Sequence, residues 1–435
     1  MIPLLLACVS FVAQEPQSRP ASAPRSPNLV VIVADDLGYG ELGCYGGKEI
    51  PTPNIDALAR SGVRMTQGYV SCPVCAPTRA GMLTGRYQQR FGLELNPGPA
   101  GNAEADYGLP KEEKTIAERL RANGYATGMV GKWHLGYREG SRPTERGFAE
   151  FFGFLGGAHA YRIAQANTPN NPILRGTEPA PSGAYLTEAF AREAVEFVAR
   201  HAKEPFFLYL PFNAVHAPLQ APAKYTQRFE KIADEKRRTF AAMLSALDDA
   251  VGNVVAKLDE LKLRDDTVIV FFSDNGGPTP STTSGNGSLR GTKAQVFEGG
   301  IRVPFCIAWP GHVPAGKSFD HPVSTLDITP TLLAAARIKT SDELDGKDLV
   351  PFLREENKER PHEALFWRFG EQWAVRVGDW KLLKLRAGEP MLFDLAHDPS
   401  EAHDLLGEQP HKRKELEERY GSWTKLLIAP RWRRG

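Results

Sequence analysis

The sequence has few cysteines and almost no imbalance of charge. Five cysteines in 435 residues are too few for a disulfide framework. The 53 basic and 52 acidic residues leave a formal net charge of +1, and no run of like charge predicts a nucleic-acid-binding surface. These shortages exclude a disulfide-stapled module and argue against nucleic acid as a partner.

Long apolar runs are absent beyond the first residues, so no transmembrane segment is expected in the mature chain. Residues 1–14 form an apolar run, and the Pro-, Ser- and Ala-rich stretch 15–27 follows it. This order is typical of a signal peptide followed by a flexible lead-in. We therefore expect an exported protein, periplasmic or extracellular. The alternative is a disordered apolar tail on a cytoplasmic protein.

The sequence predicts different chemical states for the individual cysteines. The L-L-A-C run ending at Cys8 also resembles a lipoprotein box, in which Cys8 would carry a lipid anchor. Cys44, Cys72 and Cys306 allow at most one disulfide among them. Cys72 and Cys75 have the Cys-x-x-Cys spacing of redox and zinc sites, but no second pair completes a zinc tetrad.

Apolar, β-branched runs alternate with segments of helical periodicity over most of the chain. The first run, 28–34, reads N-L-V-V-I-V-A, the pattern of a strand buried on both faces. Further strands are predicted at 126–130, 206–210, 268–272 and 305–309, and helices at about 54–61, 115–123, 186–200 and 235–261. This alternation predicts an α/β fold with a large, mainly parallel sheet sandwiched by helices.

The pattern changes near residue 340. Beyond it the sequence predicts short strands at 365–368, 373–377, 381–385 and 391–394, and a terminal helix near 412–427. We therefore predict a catalytic α/β domain over 28–340. A smaller C-terminal α+β subdomain with an antiparallel sheet is expected over 341–435.

Polar side chains follow four of the predicted strands, at the point where each strand ends. In chain order they are Asp35 and Asp36, Lys132 and His134, His216, and Asp274 and Asn275. Because ligands bind at the carboxyl edge of such sheets, we expect these side chains to meet there. Three carboxylates and an amide oxygen suit a hard cation, Ca²⁺ somewhat more than Mg²⁺. By itself, either Asp35-Asp36 or Asp274-Asn275 would more often cap a helix or form an Asx-turn.

One short motif and six further blocks carry a family resemblance. The run V-C-A-P-T-R-A-G-M-L-T-G-R holds Cys75 and Arg79 in the spacing Cys-x-Pro-x-Arg, followed by Thr-Gly-Arg. The other blocks, in chain order, are V-V-I-V-A-D-D-L-G-Y-G, G-K-W-H-L-G, N-A-V-H-A-P, F-F-S-D-N-G-G, G-T-K-A-Q-V-F-E-G-G-I-R-V-P and L-F-D-L-A-H-D-P-S-E. Together they resemble the formylglycine-dependent type I sulfatases, which are arylsulfatase-like members of the alkaline-phosphatase-like superfamily.

The resemblance implies a modified nucleophile and a bound metal ion. A formylglycine-generating maturation enzyme would convert Cys75 to Cα-formylglycine, whose hydrate attacks the sulfur of a sulfate ester. The implied Ca²⁺ ligands are Asp35, Asp36, Asp274, Asn275 and the modified residue 75. The implied activity is sulfuric ester hydrolysis, and we expect a sulfated small molecule or oligosaccharide, most of all a sulfated carbohydrate, as substrate.

The resemblance also implies roles for the basic side chains. Arg79 would orient the hydrate and offset its charge. The residues at the family's sulfate-binding and proton-transfer positions are Lys132, His134, His216 and Lys293. Among these, His134 is our choice for the base that releases sulfate, while His216 and Lys293 would face the departing oxygen.

One block departs from the family pattern. Where some members have a sulfate-binding serine, this chain has Gly156, Gly157, Ala158 and His159. His159 either contacts substrate instead or caps its own loop. Two other functions remain open: a phosphodiester or phosphonate ester hydrolase of the same superfamily, and an inactive relative that binds sulfated glycans.

Overall fold

The computed structural model describes residues 26–97, 107–162, 171–181, 185–339 and 343–432. The predicted signal segment and Cys8 lie outside these residues. In the described part of the chain, no helix combines the length and apolarity needed to cross a membrane. Its four cysteines, Cys44, Cys72, Cys75 and Cys306, are all unpaired.

The strands, in chain order, are β1 (Asn28–Ala34), β2 (Val63–Met65), β3 (Gly68–Tyr69), β4 (Ala126–Lys132), β5 (Glu150–Phe154), β6 (Leu174–Arg175), β7 (Glu178–Pro179), β8 (Phe206–Pro211), β9 (Thr267–Ser273), β10 (Phe305–Ala308), β11 (Lys317–Phe319), β12 (Val323–Ser324), β13 (Ala364–Phe369), β14 (Gln372–Val377), β15 (Trp380–Lys384) and β16 (Met391–Asp394). The helices are α1 (Pro53–Arg60), α2 (Cys75–Thr84), α3 (Ile116–Ala122), α4 (Leu186–Arg200), α5 (Ala223–Thr226), α6 (Glu235–Glu260), α7 (Thr279–Thr282), α8 (Glu298–Ile301), α9 (Ile328–Ala335), α10 (Val350–Leu353) and α11 (Pro410–Thr424).

The main sheet has β1 near its centre. Its strand order, within the described residues, is β11-β2-β10-β9-β1-β8-β4-β5-β6-β7. β1 pairs in parallel with β8 on one side and β9 on the other, and its seven residues are all buried. The predicted buried central strand, the mainly parallel sheet and the predicted helices are therefore confirmed.

β10 runs antiparallel to β9, although its sequence resembles that of the parallel strands. The chain between them, 274–304, contains the short helices α7 and α8 and no long crossover helix. This segment therefore remains at the edge of the sheet where β9 ends. β10 begins at that edge and continues in the direction opposite to β9. This return keeps residue 293 beside the ends of β1 and β9.

The two faces of β1 enter two different hydrophobic layers. Val30 and Ile32 pack into the cluster that holds the apolar sides of α1, α4 and α6. Leu29, Val31 and Val33 pack into the cluster of α2, α3 and α9. Full burial of one such side chain stabilises a fold by about 1.5–3 kcal/mol. Because successive side chains of β1 point to opposite faces, the strand stabilises both hydrophobic layers.

The predicted C-terminal antiparallel sheet is also confirmed. β13, β14, β15 and β16 pair in that order, each antiparallel to its neighbour. One face packs on Leu416 of α11, and the other packs on Val296, Phe297 and Ile301 of the larger part of the chain. The boundary near residue 340 stays a prediction.

A buried charge cluster joins the two parts. Lys381 Nζ of β15 lies 2.8 Å from Glu298 Oε1 of α8 and 2.8 Å from Glu401 Oε1. The Glu401 side chain also accepts a 2.7 Å hydrogen bond from the Glu298 backbone N–H, and Tyr69 donates to Glu298 at 2.6 Å. The cluster ties the C-terminal sheet to the segment that follows Lys293.

Candidate active site

Cys75 is the first residue of α2, and the whole helix is buried. The side chain of Asn96 accepts a 2.9 Å hydrogen bond from the Ala76 backbone N–H, one of the N–H groups that a helix start leaves without an internal partner. Thr78 Oγ1 donates to the Cys72 carbonyl at 2.8 Å. The turn that presents Cys75 is thus held from both sides.

Arg79 lies one helical turn after Cys75 and is fully buried. Its Nε and Nη2 donate to Asp274 Oδ2 at 2.9 and 2.7 Å. Its Nη1 donates to the Lys132 carbonyl at 2.8 Å, and its Nη2 lies 3.6 Å from Asp35 Oδ2. Arg79 therefore connects three strand ends to the start of α2.

Four potential ligand atoms gather beside α2. One oxygen each of Asp35, Asp36 and Asp274 and the sulfur of Cys75 lie within 4.8 Å of one another, and all four residues are buried. Asn275 donates from Nδ2 to Asp36 Oδ1 at 2.7 Å, while its Oδ1 is buried without a hydrogen-bond partner in the described chain. A buried cluster of this composition fits a hard cation that accepts oxygen ligands.

Each carboxylate of the cluster also has a cationic neighbour. Lys132 Nζ lies 2.5 Å from Asp35 Oδ2, and Lys293 Nζ lies 2.5 Å from Asp36 Oδ1. Lys293 Nζ is also 3.4 Å from Cys75 Sγ. These amino groups place positive charge within the cluster that holds residue 75.

Burial and these charges shift the pKa values of the site. Burial raises the pKa of the Cys75 thiol to about 12, although Lys132 and Lys293 oppose the rise. The thiol is therefore neutral at neutral pH. Burial lowers the pKa of Lys293, but the carboxylates, Asp36 foremost, hold it well above its ordinary value, so the amine stays charged.

The two carboxylates next to Arg79 shift in opposite directions. Burial raises the pKa of Asp35, but Lys132, His216 and Arg79 outweigh burial and hold it below its ordinary value. Burial and the charge of Asp35 raise the pKa of Asp274, although Arg79 opposes them. Opposite shifts of this kind are typical of two carboxyl groups that share one buried site.

The structure brings His134 and His216 to the same edge of the sheet. His134 follows β4 with a left-handed φ of 63°, and burial, then Lys132 and Arg79, lower its pKa well below its usual value. The imidazole is therefore neutral at neutral pH. His216 Nε2 lies 3.6 Å from Asp36 Oδ2, and its Nδ1 is 2.6 Å from the Ala217 carbonyl.

His159 lies inside its own loop. Its Nδ1 is 2.7 Å from the Ala160 carbonyl, its ring packs on Phe154 with 5.0 Å between centroids, and only 5% of the residue is exposed. Burial lowers the pKa of His159. These contacts resemble those of a loop cap, and a contact between His159 and substrate stays a prediction.

Two contacts next to the site were not predicted from the sequence, although Gly157 lies in the block that departs from the family pattern. A Cβ on Gly157 would stand 2.4 Å from His134 Nε2, so a glycine lets the loop approach the imidazole. Asn96, which caps the start of α2, comes from a segment 20 residues away. For Asn96 the signal was composition, since Asn is frequent in loops and caps.

The fold and this site define an α/β enzyme whose buried charged side chains gather at the carboxyl edge of its sheet. A family model described as Sulfatase matches residues 27–338. A second model, described as N-sulphoglucosamine sulphohydrolase, C-terminal, matches residues 292–422.

Several characterised proteins are similar to this chain over most of its length. Arylsulfatase A of Homo sapiens is 36% identical over 88% of this chain and 84% of its own. N-acetylgalactosamine-6-sulfatase of Sus scrofa is 34% identical over 82% of this chain and 72% of its own. The crystal structure of Ps i-CgsB is 38% identical with a TM-score of 0.90, covering 94% of this chain and 95% of that chain. Another crystal structure holds Ps i-CgsB in complex with k-i-k-neocarrahexaose. The chain belongs to the sulfatase family and is a hydrolase of sulfuric esters.

Proposed function

We propose that this sulfatase removes sulfate from a sulfated carbohydrate, with a formylglycine made from Cys75 and a bound Ca²⁺. The observation that carries the proposal is the buried cluster of Asp35, Asp36, Asp274 and Cys75, whose potential ligand atoms lie within 4.8 Å of one another. Around it stand Arg79, Lys132, His134, His216 and Lys293.

The residues present fit a calcium ion. Asp35, Asp36, Asp274 and the orphaned Oδ1 of Asn275 would hold it through oxygen, as Ca²⁺ prefers. When bound, the ion supplies fixed positive charge beside the sulfate oxygens. The modified side chain at position 75 would contribute one more oxygen.

The modification would supply what the thiol lacks. A hydrated aldehyde carries an oxygen nucleophile together with a second hydroxyl, through which the sulfated side chain can release sulfate without attack at sulfur. A serine in the same place offers no second hydroxyl. This difference explains the need for a maturation enzyme and predicts that serine cannot substitute for Cys75.

The surrounding side chains of this chain would bind substrate and move protons. Lys132 and Lys293 would hold the sulfate oxygens, since Lys293 contacts residue 75 and Lys132 contacts Asp35 of the same cluster. Lys293 and His216 would stabilise or protonate the departing alcohol oxygen. His134, neutral and buried, would take the proton from the remaining hydroxyl during sulfate release.

A carbohydrate substrate is supported by the relatives. Ps i-CgsB, at 38% identity, has been crystallised with k-i-k-neocarrahexaose, and N-acetylgalactosamine-6-sulfatase is named for a sulfated amino sugar. An exported enzyme, periplasmic or extracellular, with a signal peptide or a lipid anchor at Cys8, would meet such polymers outside the cytoplasm. Both the sugar class and the export are proposals for this chain.

The test is turnover by the full chain coexpressed with a formylglycine-generating enzyme. We expect hydrolysis of 4-nitrophenyl sulfate and desulfation of members of a sulfated-oligosaccharide panel. Cys75→Ser should lower kcat by roughly 10³-fold or more, because the second hydroxyl is lost. Cys44→Ser, at a half-buried cysteine outside the cluster, is the matched control and should keep kcat/KM within about threefold.

Other outcomes would favour the alternatives. A higher kcat/KM on 4-nitrophenyl phosphate or a phosphonate ester than on the sulfate would favour the phosphodiester or phosphonate hydrolase. An unmodified Cys75 in mass spectra, with glycan binding but no turnover, would favour the inactive relative. Full multiple-turnover activity of Cys75→Ser would refute the proposed chemistry.

A further inference from the structure

The loop that carries Lys293 is held by the C-terminal sheet. Gln372, the first residue of β14, is 6% exposed, and its Nε2 donates a 2.9 Å hydrogen bond to the carbonyl of Ala294. Ala294 directly follows Lys293, whose Nζ lies 2.5 Å from Asp36 and 3.4 Å from Cys75 Sγ. A single hydrogen bond thus links the C-terminal subdomain to the residue that follows Lys293.

Ala294 has a backbone conformation that needs support. Its φ of 68° is left-handed, which costs a residue with a Cβ about 1–2 kcal/mol. Its N–H donates to the Pro73 carbonyl at 2.9 Å, just before the Cys75 turn, and its C=O accepts from Gln372. Both backbone groups are therefore fixed, one by each part of the protein.

Packing reinforces the same contact. Phe369, which pairs with Gln372 across the β13–β14 hairpin, is 1% exposed and packs with Cys72 and Val74. Ala294 packs against this cluster. The hairpin end therefore touches both the lead-in to Cys75 and the residue after Lys293.

We propose that Gln372 is a positioning residue that acts through Ala294 to hold the Lys293 amine against Asp36 and residue 75. Rotation of the backbone at 294 would swing the Cα–Cβ direction of Lys293, and a long flexible side chain would then sample positions away from the site. This inference rests on the proposed function for its catalytic consequence, but the geometric part does not.

The variant Gln372→Met removes the donor and keeps a side chain of similar length. In the matured enzyme we expect kcat/KM for 4-nitrophenyl sulfate to fall about tenfold, the usual effect of losing one well-placed hydrogen bond. In a Lys293→Ala background the same change should alter kcat/KM by less than about twofold, because its target is gone.

Gln89→Met is the matched control. Gln89 is also buried, and its Nε2 donates at 3.1 Å to the carbonyl of Arg368 in β13, so it joins the same two parts of the protein without touching Ala294. It should lose stability to a similar degree while keeping kcat/KM within about twofold.

A second measurement does not need turnover. Hydrogen exchange of the peptide that contains the Ala294 amide should become at least several-fold faster in Gln372→Met and stay unchanged in Gln89→Met. Unchanged exchange, or an equal loss of kcat/KM with and without Lys293, would overturn the positioning role. Faster exchange in an enzyme without sulfatase activity would support the positioning and refute only the proposed function.

Discussion

Replacing Arg79 by methionine should destabilise the protein far more than losing a surface arginine. The guanidinium is fully buried and makes three hydrogen bonds, two to Asp274 and one to the Lys132 carbonyl. Methionine fills most of the space but leaves the Asp274 carboxylate buried without its partner. The loss of stability should therefore reflect the missing positive charge more than lost packing.

The size of the effect follows from that burial. Removing one member of a buried, hydrogen-bonded ion pair costs about 3–5 kcal/mol, because the remaining charge is uncompensated. With an m value of about 3 kcal/mol/M, the urea midpoint should fall by about 1–1.7 M. Because Asp274 is also a proposed calcium ligand, the fall should be larger in EDTA than in saturating calcium.

The assay is urea denaturation followed by circular dichroism, with Arg200→Met as control. Arg200 pairs with Glu150 at 2.5 Å, but both side chains are more than 40% exposed, so its loss should cost at most about 1 kcal/mol. Adding Asp274→Asn to Arg79→Met should recover part of the loss. A midpoint shift for Arg79→Met no larger than the control shift would refute the reasoning.

Three further predictions test other contacts. Gly157→Ala forces His134 aside, so it should lower kcat/KM at least about tenfold in steady-state assays and cost about 1–3 kcal/mol of stability, as overpacking does; a kcat/KM change below twofold would contradict this. Burial raises the pKa of Glu401 to about 7 although Lys381 opposes it, so the folded protein holds a proton that the unfolded chain releases near pH 4.5. This contribution to stability is lost as pH rises from 4.5 to 7, and Glu401→Gln should flatten that part of a plot of urea midpoint against pH; an unchanged slope would count against it. Thr115→Ala removes one half of the capping box at the start of α3 and should cost about 1 kcal/mol in urea denaturation without changing kcat/KM, whereas an unchanged midpoint would show that the cap contributes nothing.

Much of the fold could be predicted because its signals are local. Six of the seven residues of β1 are apolar, and the shortness of the run and its valines and isoleucine favour a strand covered on both faces. The direction of β10 could not be predicted, because a run of four apolar residues does not indicate which way a strand runs in the sheet. The return path through 274–304 decides it.

The candidate site divides in the same way. That Asp35, Asp274 and Lys132 would meet was predictable, because each follows a strand whose end must lie at one edge of a parallel sheet. The pairing of cations with carboxylates was not predictable. Lys132 pairs with Asp35 and Lys293 with Asp36 because of how the loops pack in the folded structure.

The sequence by itself determined the class of fold, the strand ends that carry the chemistry and the Cys75 motif, because these depend on periodicity and on neighbouring residues. Only the tertiary structure decided how Gln372 reaches Ala294 across 78 residues and how Gly157 makes room for His134. Such contacts depend on how separately formed elements pack together, and no local pattern encodes that distance.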